Sequence, residues 1–234
     1  MTQEQFIQAL SSRGISLSEK QITQFQTYMR LLQEWNEKMN LTAIVKDEEV
    51  WEKHFYDSIL PFIGLDLSSF CDVGSGAGFP GIPVKIVYPD CEMTLIEPLQ
   101  KRCRFLEEVV SQLKLENISV MNVRAEEYAK EHRALFSIVS ARAVAKLSIL
   151  LELCIPLLKV DGIFVALKGK NGDQELKQAK KALSLLHVKL IKEEKTTIEE
   201  DATRINFYFQ KVQATPIKYP RAYGQIKKKP LEEQ

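Results

Sequence analysis

The stretch FCDVGSGAGFPGIP, residues 70–83, sets four glycines within eight residues directly after a short apolar run. A turn of this kind follows a first β-strand and opens a helix, because glycine tolerates positive φ and lets a ligand approach the backbone. Which ligand depends on the spacing. A dinucleotide fingerprint requires G-x-G-x-x-G. Here the glycines are Gly74, Gly76 and Gly78, and Phe79 stands where the third glycine of that fingerprint would fall. No Gly-Lys-Ser/Thr follows, which excludes a P-loop. Asp72 precedes the first glycine by two residues, giving D-x-G-x-G-x-G. Glu97 closes the next strand-like run, at the position where nucleotide-binding folds place a carboxylate on the ribose hydroxyls.

Outward from this turn the periodicity alternates. Runs 70–73, 93–97, 118–122, 136–141 and 162–168 are rich in β-branched and aromatic residues and read as strands. Segments 80–88, 99–114, 124–131, 146–158 and 173–186 read as helices. Such alternation predicts a mostly parallel sheet covered on both faces. Two late segments, 187–197 and 204–212, read as closing strands. The first 64 residues read as helices: one ending at Gly14, one opening at Ser16 or Ser18, one starting at Asp47. Three regions are expected: helices over 1–64, the α/β domain over 65–214 and a tail over 215–234.

The 234 residues carry 32 Lys and Arg against 31 Asp and Glu, a formal net charge of +1, so the total announces no nucleic-acid partner. The distribution does at one place: residues 215–230 hold five basic residues and no acidic one. Cys71, Cys91, Cys103 and Cys154 form no C-x-x-C pair, which suggests neither a zinc site nor a disulfide framework. No apolar run reaches the roughly 18 residues of a membrane span, and no secretory signal opens the chain. A cytoplasmic protein with no membrane partner is expected.

D-x-G-x-G-x-G resembles motif I of the class I S-adenosylmethionine-dependent methyltransferases. The blocks LQEWNEKMNLTAI (32–44), KHFYDSIL (53–60), DVGSGAGFPGIP (72–83), EPLQKRCRFLEEV (97–109), VRAEEY (123–128), SARAVAKL (140–147) and ALKG (166–169) sharpen the match. Their order resembles the bacterial small-subunit ribosomal RNA guanine-N7 methyltransferase family. The resemblance implies a Rossmann-like, mostly parallel seven-stranded sheet with an N-terminal helical extension, and S-adenosylmethionine as methyl donor. It further implies a guanine in the helix 18 region of 16S ribosomal RNA as target, met within the small ribosomal subunit or an assembly intermediate. By the same resemblance Gly74, Phe79, Ala125, Glu126 and Arg142 belong to the cofactor site, together with Asp72, Gly76, Gly78 and Glu97 of the glycine turn. Asp72 is expected to receive the donor's ammonium group. The tail departs from the family pattern at Ile226, which stands where a proline is expected.

Guanine N7 carries a free lone pair. No general base or nucleophilic side chain is therefore expected; catalysis rests on holding N7 roughly 3–3.5 Å from the methyl carbon, with Arg142 as a positioning residue. Lys146, Lys168 and Lys170 near strand ends, with Lys218, Arg221, Lys227, Lys228 and Lys229 of the tail, are candidates for a phosphate-binding rim. A monomer is expected, although the sequence carries no signal of oligomeric state. Asn36 and Asn40 read as structural polar residues, whereas His54 and Asp57 stay open between a pocket role and a supporting one. The competing readings are a methyltransferase for protein or small molecules, a nicotinamide dehydrogenase and an RNA-binding module without cofactor. The family blocks, the Phe79 position and the intact motif argue against these in turn.

Overall fold

A computed structural model of the chain describes residues 1–197 and 203–232. Its strands are β1 (Ser69–Val73), β2 (Glu92–Ile96), β3 (Ile118–Met121), β4 (Phe136–Arg142), β5 (Leu158–Lys168), β6 (Val188–Thr197) and β7 (Thr203–Lys211). They form one seven-stranded sheet in the order β3-β2-β1-β4-β5-β7-β6. The pairs β1–β2, β1–β4, β2–β3 and β4–β5 are parallel, while β7 runs antiparallel to both β5 and β6. Strand order reverses between β1 and β4, so the crevice where open α/β sheets bind ligands lies beyond the carboxyl ends of these two strands.

The helices are α1 (Gln3–Ser11), α2 (Glu19–Met39), α3 (Asp47–Glu49), α4 (Asp57–Ile59), α5 (Gly81–Val87), α6 (Gln100–Gln112), α7 (Ala125–Glu131), α8 (Leu147–Cys154), α9 (Gly172–Gln178), α10 (Lys180–Leu185) and α11 (Tyr223–Lys228). Of the two serines considered, Ser18 caps α2, in a reciprocal box with Gln21. Phe25, Tyr28 and Leu32 recur at three and four residues and are buried. Between α3 and α4 the expected regular helix is instead a π-helix, Val50–Tyr56. Phe6, Phe25, Trp51 and Phe55 pack ring to ring at 5.1–6.4 Å. These rings join Phe70, Ile82, Leu95 and Phe105 in a single core, so the N-terminal helices share their apolar interior with one face of the sheet. The opposite face is covered by α7, α8, α10 and α11. All four cysteines are buried free thiols.

The tail over 215–232 is packed onto the α/β domain. Tyr219, Ile226 and Leu231 are buried in the second core. Arg133, just before β4, donates to the carbonyls of Thr215 and Tyr219 at 3.0 and 2.6 Å. Further on, the guanidinium of Arg124 at the start of α7 lies 5.1 Å from the Tyr223 ring centre. The tail therefore crosses the α7–α8 layer from the amino edge of the sheet to its carboxyl edge. Ile226, the residue at the departure from the family pattern, is fully buried there.

Candidate functional site

The turn after β1 is held by the neighbouring strand: Gly74 N–H and Ser75 N–H both donate to the Ile96 carbonyl, at 2.8 and 3.1 Å. Gly78 has φ +95°, and a Cβ there would lie 2.6 Å from Ile82 Cγ1 and 2.7 Å from Tyr28 Oη. Only glycine fits. At Gly76 (φ +58°) a Cβ would meet nothing closer than 3.8 Å; its N–H donates to Glu97 Oε2 at 2.9 Å. Glu97, 1% exposed, also accepts from Leu99 N–H at 2.9 Å through Oε1, and Arg102 Nη1 stands 3.8 Å from Oε2. Each oxygen keeps a further lone pair for a ligand hydroxyl.

A cavity of about 500 Å³ opens over this turn. Its lining includes Gly74, Gly76, Phe79, Glu97 and Arg142 from the expected set, with Thr42, His54, Arg102 and Val144 added. Ala125 and Glu126 are buried at the start of α7, beyond β3, and are not among the lining residues. Asp72 corrects the expectation made for it. Its Oδ1 accepts from Ser140 Oγ at 2.8 Å and its Oδ2 from Gly81 N–H at 3.3 Å, and it is fully buried behind the turn. Burial pushes its carboxyl up to about 6, against the lowering by Ser140, Gly81 and Ser75. It braces the entry into α5 and does not face the cavity.

Phe79 is the floor on which two expected residues meet. The His54 ring stacks on it at 4.2 Å and 14°, and the Arg142 guanidinium carbon lies 5.2 Å from its centre. Arg142 Nη2 is 2.8 Å from His54 Nδ1, and His54 Nε2 is 2.8 Å from Thr42 Oγ1. Arginine only donates, so Nδ1 accepts, and the neutral ring carries its proton on Nε2 and gives it to Thr42. The Thr42 oxygen also accepts from Ile44 N–H, at 3.0 Å. Asp57 Oδ2 takes Arg142 Nη1 at 3.5 Å and Arg204 Nε at 3.1 Å. His54 thus belongs to the cavity wall and Asp57 to the support of two arginines. Asn36 Oδ1 accepts from Thr42 N–H at 2.8 Å, and Asn40, with φ 49°, ends α2, both structural roles.

Burial, then the charges of Arg142 and Arg204, push His54 down to about 3. An unfolded imidazole titrates near 6.5. The stability contributed by keeping this ring neutral is full above pH 6.5 and is lost as pH falls toward 3, because the unfolded chain then binds the extra proton. Wild type is expected to lose about 1 kcal/mol more than His54→Gln between pH 6 and pH 5 in urea denaturation; parallel pH profiles would contradict the assignment.

The candidate rim is only partly assembled. Lys170 is exposed, and Lys146 is exposed with Nζ 3.9 Å from Glu232. Lys168 is drawn inward to Glu175 at 2.7 Å and the Ala145 carbonyl at 2.8 Å. Arg221 turns into the protein against Glu152, at 2.8 and 2.6 Å. Lys218 adjoins the part of the tail tied to Arg133, at the amino edge of the sheet and away from the cavity. Lys227, Lys228 and Lys229 are exposed at the end of α11 beside α8. Thr42 in the cavity wall and Arg204 on Asp57 carry no signal in the sequence. Thr42 sits in an aperiodic connection, and Arg204 reaches Asp57 only because β7 inserts beside β5.

Comparison with known proteins agrees with this geometry. Residues 21–205 match the family model described as rRNA small subunit methyltransferase G. A Lysinibacillus sphaericus protein named ribosomal RNA small subunit methyltransferase G is 50% identical over 238 residues, covering 99% of this chain and 100% of that one. A Staphylococcus saprophyticus protein of the same name is 48% identical over 231 residues, 97% of each chain. Among solved structures, M. jannaschii TYW2 in complex with AdoMet has a TM-score of 0.52 at 18% identity, over 65% of this chain and 73% of that one, a likeness of fold.

Proposed function

Because the chain belongs to the rRNA small subunit methyltransferase G family, we propose that it transfers the methyl group of S-adenosylmethionine to N7 of a guanine in 16S ribosomal RNA. The observation that carries this reading is the convergence of the glycine turn, Glu97 and Arg142 on one cavity at the carboxyl ends of β1, β2 and β4. Gly76, where a Cβ would meet nothing closer than 3.8 Å, and the spare lone pairs of buried Glu97 fit a nucleoside whose ribose hydroxyls donate to the carboxylate. Gly76 offers bare backbone, while Gly74 lets Val144 close over the turn, 2.5 Å from where a Cβ would stand. When bound, S-adenosylmethionine supplies a methyl group on a sulfonium, electrophilic enough to need no further activation.

The protein's part is positioning. Guanine N7 needs no deprotonation, and the only imidazole in the cavity wall is held neutral, with both nitrogens engaged by Arg142 and Thr42. Arg142 is fixed from three sides, by Asp57, His54 and the Phe79 ring. It is suited to orient the guanine and to exclude water. The RNA backbone then passes over the exposed lysines Lys146 and Lys170 and the tail lysines of α11. Among the described residues no helix is long and apolar enough to cross a membrane.

Tritiated methyl transfer to small-subunit particles, followed by identification of the labelled base, tests the reading. Wild type is expected to yield 7-methylguanine in 16S RNA. Arg142→Ala is expected to lower kcat about 100-fold, the effect of a misplacement near 1 Å. Label on another atom, or none in RNA, would overturn the assignment.

A further inference from the structure

Arg142 separates the cofactor cavity from a second one of about 360 Å³, which also has Asp57, Arg204 and Asn206 in its wall. Those three residues line a third cavity in turn, of about 470 Å³. The three spaces make a row along the carboxyl end of the sheet, from the end of β2 to the β6–β7 edge. The third lies between the N-terminal helices and that edge, with Arg13, Glu52, Tyr56 and Leu60 on the helical side. Nothing in the methyl transfer just described uses it.

Resting on the methyltransferase reading, we propose that this third cavity binds the nucleotide adjoining the target guanine in the RNA strand. Its phosphate lies at Arg13 and Arg204, and its base lies against Tyr56 and Leu60.

The arginines are built for this. Arg13 Nε donates to Tyr56 Oη at 3.0 Å, and Arg204 Nε donates to Asp57 Oδ2 at 3.1 Å. Each guanidinium is thus anchored through Nε, and its Nη groups make no hydrogen bond among the described residues. A planar fork with free Nη groups is the geometry that grips a phosphate in two bonds. Tyr56 and Leu60 are half-buried and give a ring and an apolar surface, and Asn206 offers a polar partner to a base edge, while the wall carboxylates Glu52 and Glu194 are neutralised by the Met1 amino group at 2.9 Å and by Lys192 at 2.6 Å. Sequence-bearing single-stranded RNA is held in this manner, by bases splayed onto aromatic side chains with arginine on the backbone. Extruding the guanine also unstacks its neighbour, and a pocket of nucleotide size at the far end of the same row receives it.

RNA affinity as a function of salt, with methyl transfer to small-subunit particles, tests the proposal in three variants. Arg13→Glu is expected to raise KM for RNA about tenfold and to flatten the slope of log affinity against log salt by roughly 0.7, the value of one single-strand phosphate contact. Tyr56→Phe keeps the ring and removes the anchor of Arg13, and is expected to raise KM less. Lys159→Glu makes the same charge change on an exposed residue near the amino end of β5 and is expected to move neither quantity. If Arg13→Glu and Lys159→Glu give the same KM and the same slope, the third cavity is not an RNA site. Loss of transfer in wild type itself would instead sink the methyltransferase reading on which the site rests.

Discussion

Glu97→Ala is expected to weaken binding of S-adenosylmethionine about 100-fold. The carboxylate is 1% exposed at the end of β2, and its two oxygens each accept a backbone N–H at 2.9 Å, from Gly76 and from Leu99. A hydrogen bond to a charged group contributes about 1.5–3 kcal/mol. Loss of two ribose contacts removes at least about 3 kcal/mol, and 1.4 kcal/mol is a factor of ten. Alanine also leaves two N–H groups of the turn without an acceptor, which loosens the cradle that Gly76 belongs to. Glu97→Gln keeps the shape and one acceptor oxygen but turns an NH2 toward one of those donors, so a loss of about tenfold is expected. Calorimetry with the cofactor and with its demethylated product separates the cases, and thermal melting without ligand reports the damage to the turn. Cofactor affinity equal to wild type in both variants would remove Glu97 from the binding site.

Arg221→Ala is expected to destabilise the protein by about 3–5 kcal/mol, the cost of leaving a buried carboxylate without its partner. Glu152 is 0% exposed on α8, and Arg221 meets it with Nε at 2.8 Å, Nη2 at 2.6 Å and its own backbone N–H at 2.9 Å. The same Nη2 donates to the Lys229 carbonyl at 2.9 Å, so one side chain ties both ends of the tail segment to α8. For a chain of this length the expected fall in Tm is about 10 °C. Adding Glu152→Leu to Arg221→Ala removes the orphaned charge and is expected to restore much of the loss. Urea denaturation of the single and double variants measures this, and a loss below about 1 kcal/mol would mean that water reaches the carboxylate. At temperatures where the variant is folded, its RNA affinity is expected to match wild type, since the guanidinium is occupied inside the protein. Deleting the whole tail tests RNA binding poorly, because it strips Tyr219, Ile226 and Leu231 from the core.

The fold was legible because its signals are local. The strand runs and the glycine turn each declare themselves within a few residues, through β-branched content and spacing. The start of α2 was legible only to within Ser16 or Ser18, and the structure chooses Ser18, whose box with Gln21 closes the first turn. The π-helix was not legible: 47–63 has the apolar spacing of an ordinary helix, while in the structure Trp51 and Phe55 meet Phe6 of α1 and His54 stacks on Phe79 of the glycine loop. The tail misled for a related reason. Its basic residues read as part of a phosphate-binding rim, whereas three well-spaced apolar residues and Arg221, turned inward, decide its path.

By itself the sequence determined the α/β class, the place of the ligand turn, and the carboxylate 23 positions on, Glu97. Each of these depends on conformational limits and periodicity that act over a few neighbours. Only the tertiary structure decided which charges remain free to work. Asp72 is spent on Ser140 and Gly81, Lys168 on Glu175 and Arg221 on Glu152, while Arg142 and Arg204 converge on Asp57. A buried charge must find a partner, and that partner is set by which strands and helices pack side by side, not by position along the chain.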